Sequence, residues 1–319
     1  MATDETAGGR RQPQRHIWLL ALVGMLAIAG AARAQDDGPR VYQLAPEGAK
    51  TVTIFGVVKR GNEGVEPGSL YLGSNIDTNL VIFRYAETFS VAGRQVSPFV
   101  ILPVGKVEIR NDPQNHSSSA SSSGLGDIQI GGTLGLIGSP VLTAEDFGRY
   151  KPQLRLALLG RVFFPTGDYS ATNRVNFGSN RVSYQLGLPF TAAIGTSYLD
   201  PSLTTLEILP TVTFYEANND PFGADKSSKS ALYSVEGHLT HNFSRRWWLS
   251  ADVLYRKGGE TTTDGVADGN AMRGWSAGGS AALALNRRAT VILTYEQVVA
   301  RSDEGPDGWF FRTAVVLPF

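Results

Sequence analysis

Eleven polar side chains share one parity within long alternating runs: Arg155, Arg161, Arg181, Gln185, Glu207, Glu236, His238, Asp252, Arg256, Glu296 and Arg312. Two kinds of chemistry suit such a set. Facing one aqueous space, a ring of mixed charge would screen small solutes. Paired across that space, the same residues would fill it with salt bridges. Width decides between the two, because about eight strands closed on themselves are filled by side chains, whereas roughly 16–18 leave a channel. His238, flanked by Glu236 and Thr240 on one strand face, is also placed like the base of a lipid-acting hydrolase. The sequence supplies no nucleophile elbow to go with it. The nearest string, Gly278-Gly279-Ser280-Ala281-Ala282, lacks the closing Gly of G-x-S-x-G. A pore-lining imidazole is the simpler reading of His238. His241 falls on the apolar face beside a turn and reads as an interfacial residue.

The remaining motifs are weaker. Asp264, Asp268 and Asn270 in TTTDGVADGN resemble part of a calcium loop, but the EF-hand spacing and its terminal Glu are missing. An ordinary turn-rich loop accounts for them. Gly124-Leu125-Gly126-Asp127 lacks the third Gly of a dinucleotide fingerprint and precedes a strand, so it reads as a strand start where Gly relieves crowding. The chain has no Cys, which removes disulfides, thiolate nucleophiles and Cys-ligated metals. No metal site and no cofactor are expected. Lys+Arg equals Asp+Glu at 29 each, so no basic footprint exists for a nucleic-acid partner. With 42% hydrophobic and 18% charged residues, disorder is excluded as well.

The elements that must position these residues begin after an export signal. Arg10, Arg11 and Arg15 precede the apolar run Ile17–Ala29, and Ala32-Arg33-Ala34 offers small residues at −3 and −1 of a cut before Gln35. The run is shorter than the roughly 20 residues of a spanning helix. Residues 1–34 therefore read as a signal peptide, and their removal leaves 25 basic against 27 acidic residues. Residues 35–49 read as a periplasmic N-terminal segment and 50–319 as the fold proper.

From residue 50 onward the period is two, the strand signal. Val182, Tyr184, Leu186, Leu188 and Phe190 alternate with Arg181, Ser183, Gln185 and Thr191. Leu154–Phe164, Leu206–Phe214, Tyr233–Phe243 and Trp247–Tyr255 repeat the pattern. About twelve strands are expected, near 50–60, 76–89, 95–109, 125–137, 153–165, 179–193, 203–216, 231–243, 246–257, 271–285, 289–301 and 309–319. The third is apolar on both faces. Most exceed the five or six residues usual in soluble sheets and suit a tilted crossing of a bilayer. Long polar connections follow the first, third, fifth, seventh and ninth strands and tight ones the second, eighth and tenth, the rhythm of an up-and-down membrane barrel. Those after the fourth and sixth are longer than that rhythm asks, and the last outer loop, Ser302–Gly308, is short. Thr143-Ala144-Glu145-Asp146 has the form of a helix N-cap with acids in the first turn, which predicts a short periplasmic helix over 143–150. His116–Ser123 is Ser-rich and reads as an outer loop.

Trp309, Phe311, Thr313, Val315, Leu317 and Phe319 share one face of the last strand, the form that the outer-membrane β-barrel assembly machinery recognises. In lipid an open sheet edge leaves backbone groups unpaired, so the strands are expected to close. The fold class that follows is an all-β transmembrane antiparallel barrel with apolar residues outward and Arg, Glu, Gln, Ser and Thr inward. Its surroundings are then outer-membrane lipid, in a Gram-negative envelope. Girdles of aromatic residues are expected at both rims: Tyr215, Tyr233, Tyr255 and Trp309 outside, and Phe89, Tyr198, Phe243, Trp247 and Phe319 on the periplasmic side. Arg161 and Arg312 should pair with Glu207, Asp252 or Glu296.

The strings NIDTNLVIFRYAETFSVAGRQ, SSSGLGDIQIGGTLGLIGSP, LDPSLTTLEILPTVTFYEANNDPFGAD and YRKGGETTTDGVADGN resemble the outer-membrane proteins of the phenol-degradation meta-pathway family. The resemblance runs from about Lys50 to the C-terminus. It implies a non-enzymatic outer-membrane channel or transporter for small-molecule solutes, among them aromatic or other hydrophobic compounds. It brings no site residues with it. Two alternatives stay open: a barrel enzyme acting on lipid, and a structural barrel plugged by Arg–Glu pairs or by Gln35–Ala49 folded inside.

Overall fold

The computed structural model describes residues 37–111 and 120–319. The expected signal peptide, its cleavage point before Gln35 and the start of the Ser-rich stretch lie outside the described residues.

The alternating runs form twelve antiparallel strands: β1 (Lys50–Gly61), β2 (Asn75–Glu87), β3 (Arg94–Asn111), β4 (Gln129–Ile137), β5 (Arg155–Phe163), β6 (in two pieces, Ser183–Gly187 and Phe190–Ile194), β7 (Thr204–Tyr215), β8 (Leu232–Asn242), β9 (Trp247–Gly258), β10 (Met272–Asn286), β11 (Ala289–Arg301) and β12 (Gly308–Pro318). Each pairs with its sequence neighbours, and β12 pairs with β1 from Thr51–Pro318 to Gly61–Gly308. The sheet is thus a closed ring of twelve strands with no free edge.

Local chemistry explains its irregularities. β6 is split at Leu188-Pro189 because Pro has no N–H to give the ladder. The register with β7 is nevertheless the same on both sides, Thr211 opposite Gly187 and Ile208 opposite Phe190. Ser121–Leu125, from the Ser-rich stretch, is a strand that pairs with β3, and one extra residue separates its register from that of β4. Asp127 sits in that bulge. Its carboxylate accepts the N–H groups of Gly167 (3.0 Å) and Ser179 (2.9 Å), which ties the following long loop to the wall. The expected helix is α1 (Ala144–Arg149), with Thr143 as N-cap accepting from the Asp146 N–H at 3.1 Å.

The faces are inverted relative to a soluble barrel. Leu206, Leu239 and Val253 are 42%, 54% and 45% exposed on the outer surface, whereas Glu296 and Arg155 are 0% and 1% exposed. Such a surface is stable in hydrocarbon, where each buried Leu-sized side chain contributes about 1.5–3 kcal/mol when removed from water. Among the described residues no helix is long and apolar enough to cross a membrane.

Two ends can be told apart. The tight turns, α1 and the C-terminus mark one, the turn end; the long connections mark the other, the loop end. At the turn end Phe243 stacks on Trp247 at 4.5 Å, with Phe89 and Phe319 also exposed. At the loop end Tyr255 meets Trp275 at 4.7 Å, and Tyr295 meets Trp309 at 6.4 Å. Two expected girdle members are elsewhere. Tyr198 is buried against Phe147 of α1 at 5.3 Å, because the helix covers it. Tyr215 donates its hydroxyl to the Pro67 carbonyl at 2.8 Å, because the β1–β2 loop folds over it. Single-tryptophan variants retaining Trp247 or Trp275 should therefore be quenched more by lipids brominated near the headgroup than by lipids brominated at the chain ends. The reverse order would remove the belt assignment.

Candidate functional site

Directly opposed residues of an antiparallel ladder point to the same side of the sheet. One such row runs Arg155, Thr191, Glu207, His238, Asp252, Gly278, Glu296, Phe310 and Lys59, strand to strand across the wall. Five of the eleven candidates, four charged residues and the histidine, therefore share one diagonal line on the inner wall. Ten of the eleven are at most 9% exposed, and Gln185 is half-buried. All lie on the inward parity.

Their partners differ from the expected cross-lumen pairs. Residues 37–45, ahead of β1, run inside the ring and take up much of the inner polar surface. Both Asp37 carboxylate oxygens lie 2.8 Å from Nη2 of Arg161, and the Tyr42 hydroxyl joins them at 2.8 and 2.6 Å. Glu236 accepts the Asp37 N–H at 3.1 Å, and Glu207 accepts the Arg40 N–H at 2.8 Å. Arg155 donates to the Tyr42 carbonyl, and to Ser139 Oγ at 2.9 Å. Gln95 donates to the Ala45 carbonyl at 3.0 Å. Gly38 lies so close to Arg312 that a Cβ there would sit 2.3 Å from Nη2, and its φ of +94° favours glycine for a second reason. Arg161 is thus paired with Asp37 instead of Glu207, Asp252 or Glu296. Of the described part of the segment expected on the periplasmic side, residues 46–49 lie at the turn end, where the Glu47 and Gly48 N–H groups bond to the Leu142 and Thr88 carbonyls.

The loop end is closed by a different segment. The β1–β2 loop turns inward, so that Glu63 pairs with Arg256 of β9 and with Lys59 at 3.4 Å. Glu66 meets Lys229 at 2.8 Å and Arg181 at 3.3 Å. Burial alone would raise the Glu66 carboxyl, but Lys229 and Arg181 outweigh it and hold it below the usual carboxylate range.

Between lid and plug lies a cavity of about 160 Å³. Phe55, Val57, Leu80, Ile82, Ile101 and Phe310 give it an apolar wall, and Arg84, Arg161 and Arg312 reach in from the polar side. A vestibule of about 480 Å³ opens beyond it at the loop end, sharing Val65 with it. A third cavity of about 350 Å³ lies toward the turn end, sharing Val41, Phe55 and Arg84. The inner wall is therefore not polar throughout, as the alternation suggested. Where β1, β2 and β3 are apolar on both faces, the lumen itself carries an apolar sector.

The eleven candidates divide by position. Arg161, Gln185, Glu236, Arg256 and Arg312 line the central cavity. Arg181 lines the vestibule, and Glu207 and His238 face a small recess beside the plug. Arg155, Asp252 and Glu296 are held within the wall and its contacts. His238 Nδ1 lies 2.9 Å from Asp252 Oδ1, while Ser250 and Ser280 donate to the same carboxylate at 2.5 and 2.6 Å. Those hydroxyls bond to the acid and not to the imidazole, so the cluster lacks the order of a nucleophile–base–acid relay. His241 is exposed beside the turn, bonded to Thr204 Oγ1 at 2.8 Å. Asp264 and Asp268 accept from Lys226 N–H (2.8 Å) and Thr263 Oγ1 (2.9 Å), which ties the turn-rich loop to itself and to the neighbouring loop.

Sequence reasoning missed Asp37, Tyr42, Glu63, Glu66, Arg84 and Lys229. The first four lie outside the strands, where no parity marks a direction, and Lys229 ends a strand of only three residues, Ser227–Lys229, too short to show a period. Arg84 is within β2, but Leu80-Val81-Ile82-Phe83-Arg84-Tyr85 is apolar on both parities and hides its one inward charge.

No curated protein matches the sequence. Among solved structures, the COG4313 outer membrane channel from Pseudomonas putida F1 superposes with a TM-score of 0.73 at 17% identity, over 89% of this chain and 100% of that one. The translocator domain of the autotransporter NalP from Neisseria meningitidis follows at a TM-score of 0.48 and 11% identity, over 96% and 95%. The first likeness is one of fold. The family described as "Putative MetA-pathway of phenol degradation" matches residues 46–305, which takes in the ring from β1 to the last loop, and the chain belongs to that family.

Proposed function

We propose that this protein is an outer-membrane channel for small, largely apolar molecules, aromatic compounds among them, and not an enzyme. The observation that carries the reading is the series of three cavities along one lumen, the central one walled by Phe55, Leu80, Ile82 and Phe310. An engineered apolar cavity of about 150 Å³ takes up benzene, so a space of this size suits a single ring. The similarity to a protein described as an outer membrane channel supports it. In this reading residues 1–34 direct export and are cut before Gln35, the turn end faces the periplasm, and outer-membrane lipid surrounds the belt. The β-barrel assembly machinery inserts the chain through its C-terminal strand.

The second reading is a plugged structural barrel, and residues 37–45 inside the ring favour it. Electrical conductance in a planar bilayer separates the two. Refolded full-length protein should show discrete openings. Arg161→Gln with Arg312→Gln should shift the reversal potential toward cation selectivity, and Glu236→Gln should shift it the other way, each by a several-fold change in permeability ratio. At an effective dielectric near 20, a unit charge ~7 Å from a passing ion acts with roughly 2 kcal/mol. No openings in any variant would leave the plugged barrel as the answer.

A further inference from the structure

The central cavity holds an internal carboxylate on a guanidinium beside an apolar wall. We propose that this is the binding site for a small aromatic carboxylate, and that Asp37 occupies its anion subsite until such a solute displaces it. The inference rests on the channel reading and names its solute class.

The first support is the arginine pair. Arg161 and Arg84 both stack on Phe99, with guanidinium carbons 5.3 and 4.9 Å from the ring centroid. Arg161 is paired with Asp37 through Nη2. Among the described residues no carboxylate lies within ion-pair distance of Arg84, which borders both the central and the turn-end cavities. Its charge is close enough to act on Asp37. Arg84 thus borders the cavity with no carboxylate on it, and the carboxylate on Arg161 belongs to a segment outside the ring of strands.

The second support is the opposite wall. Phe55, Leu80, Ile82 and Phe310 remove a ring from water, and the space of about 160 Å³ admits one ring of benzene size. A neutral hydrocarbon would fill the wall and leave Arg84 as it is. A small inorganic anion would pair with the arginines and leave the wall uncovered. An aromatic acid satisfies both. Charge also balances on exchange: one carboxylate leaves Arg161 for water as another arrives, and the cavity's net charge is unchanged. Fork-shaped guanidinium groups bind carboxylates in two contacts at once, which suits Arg161 for either occupant.

The test is calorimetric titration of benzoate into the refolded full-length barrel in detergent, with benzyl alcohol (ring, no charge) and acetate (charge, no ring) as comparisons. Benzoate should bind at least about tenfold more tightly than either, and Arg84→Gln should lose about tenfold, as befits one hydrogen bond to a charged group. Asp37→Asn, which removes the competitor, should gain by a similar factor. Arg84 has no ion pair to lose, only its place over the Phe99 ring, so Arg84→Gln should still melt in one cooperative transition near the wild-type temperature, which separates a binding defect from a folding one. Equal affinity for benzyl alcohol, no loss in Arg84→Gln, or no gain in Asp37→Asn would each overturn the proposal. Wild-type conductance tells this failure from the other one. A conducting barrel that ignores benzoate rejects only the solute class, and a barrel that binds benzoate but never conducts rejects the channel and keeps the site.

Discussion

Deleting residues 37–45 should raise the single-channel conductance of the refolded barrel by at least about tenfold. The segment runs where the central cavity meets the turn-end cavity, with Val41 bordering both beside Phe55 and Arg84 of the wall. Its hold is a set of contacts from Asp37, Arg40 and Tyr42 to Arg161, Glu236, Glu207 and Arg155. Removing a barrier of even ~1.4 kcal/mol is a tenfold change in rate, and a physical obstruction exceeds that. The strands keep their ladder in the deletion, because none of their backbone hydrogen bonds is made to residues 37–45. The same idea has a milder form. The chain has no cysteine, so Val41→Cys is a clean probe. It should be slow to react with a water-soluble maleimide in the wild-type background and fast when combined with Asp37→Asn. Unchanged conductance in the deletion, or equal labelling in both backgrounds, would show that the lumen is blocked elsewhere.

Lys229→Met should be the most destabilising single substitution at the loop end, by roughly 3–5 kcal/mol, the usual cost of stranding one member of a buried ion pair. Lys229 Nζ lies 2.8 Å from Glu66, 2.9 Å from the Pro67 carbonyl and 2.9 Å from Ser69 Oγ, over the Tyr215 ring at 4.5 Å. It ties the inward-folded β1–β2 loop to the far wall. Without it Glu66 keeps Arg181 at 3.3 Å and the Ser69 hydroxyl at 2.7 Å, and its charge loses the nearer of its two cations. The double variant Lys229→Met with Glu66→Gln should recover much of the loss, since no charge is left stranded. Denaturant midpoints of the two variants in micelles measure this, and a loss below ~1 kcal/mol in the single variant would mean the lid is held by other contacts. The pH dependence has a definite sign. The Glu66 carboxyl is held below its unfolded value, so its stabilisation is present above the usual carboxylate range and fades as pH falls through the lower folded value. Acid should loosen the lid in the wild type and have less effect in the double variant.

What the sequence determined by itself is local and repetitive. All twelve strands stand within a few residues of their predicted places because a half-buried strand writes its burial at every second residue. Leu206, Ile208 and Val212 could not face lipid without Glu207, Thr211 and Thr213 facing inward. The N-cap of α1 was equally legible, since Thr143 and Asp146 are three residues apart and need nothing distant. Even the inward direction of the eleven polar candidates followed from parity combined with the cost of placing charge in hydrocarbon.

Only the tertiary structure decided who meets whom inside the ring. Arg161 finds Asp37 across 124 residues of sequence, and Arg256 finds Glu63 across 193. Neither acid lies on a strand, so no period reports its direction. The lumen's apolar sector escaped notice for the related reason that β2 and β3 are apolar on both faces, where alternation carries no contrast. Ring closure brings these distant pieces together. An inward charge in a narrow lumen takes whichever opposite charge geometry brings nearest, and that geometry exists only once β12 has met β1.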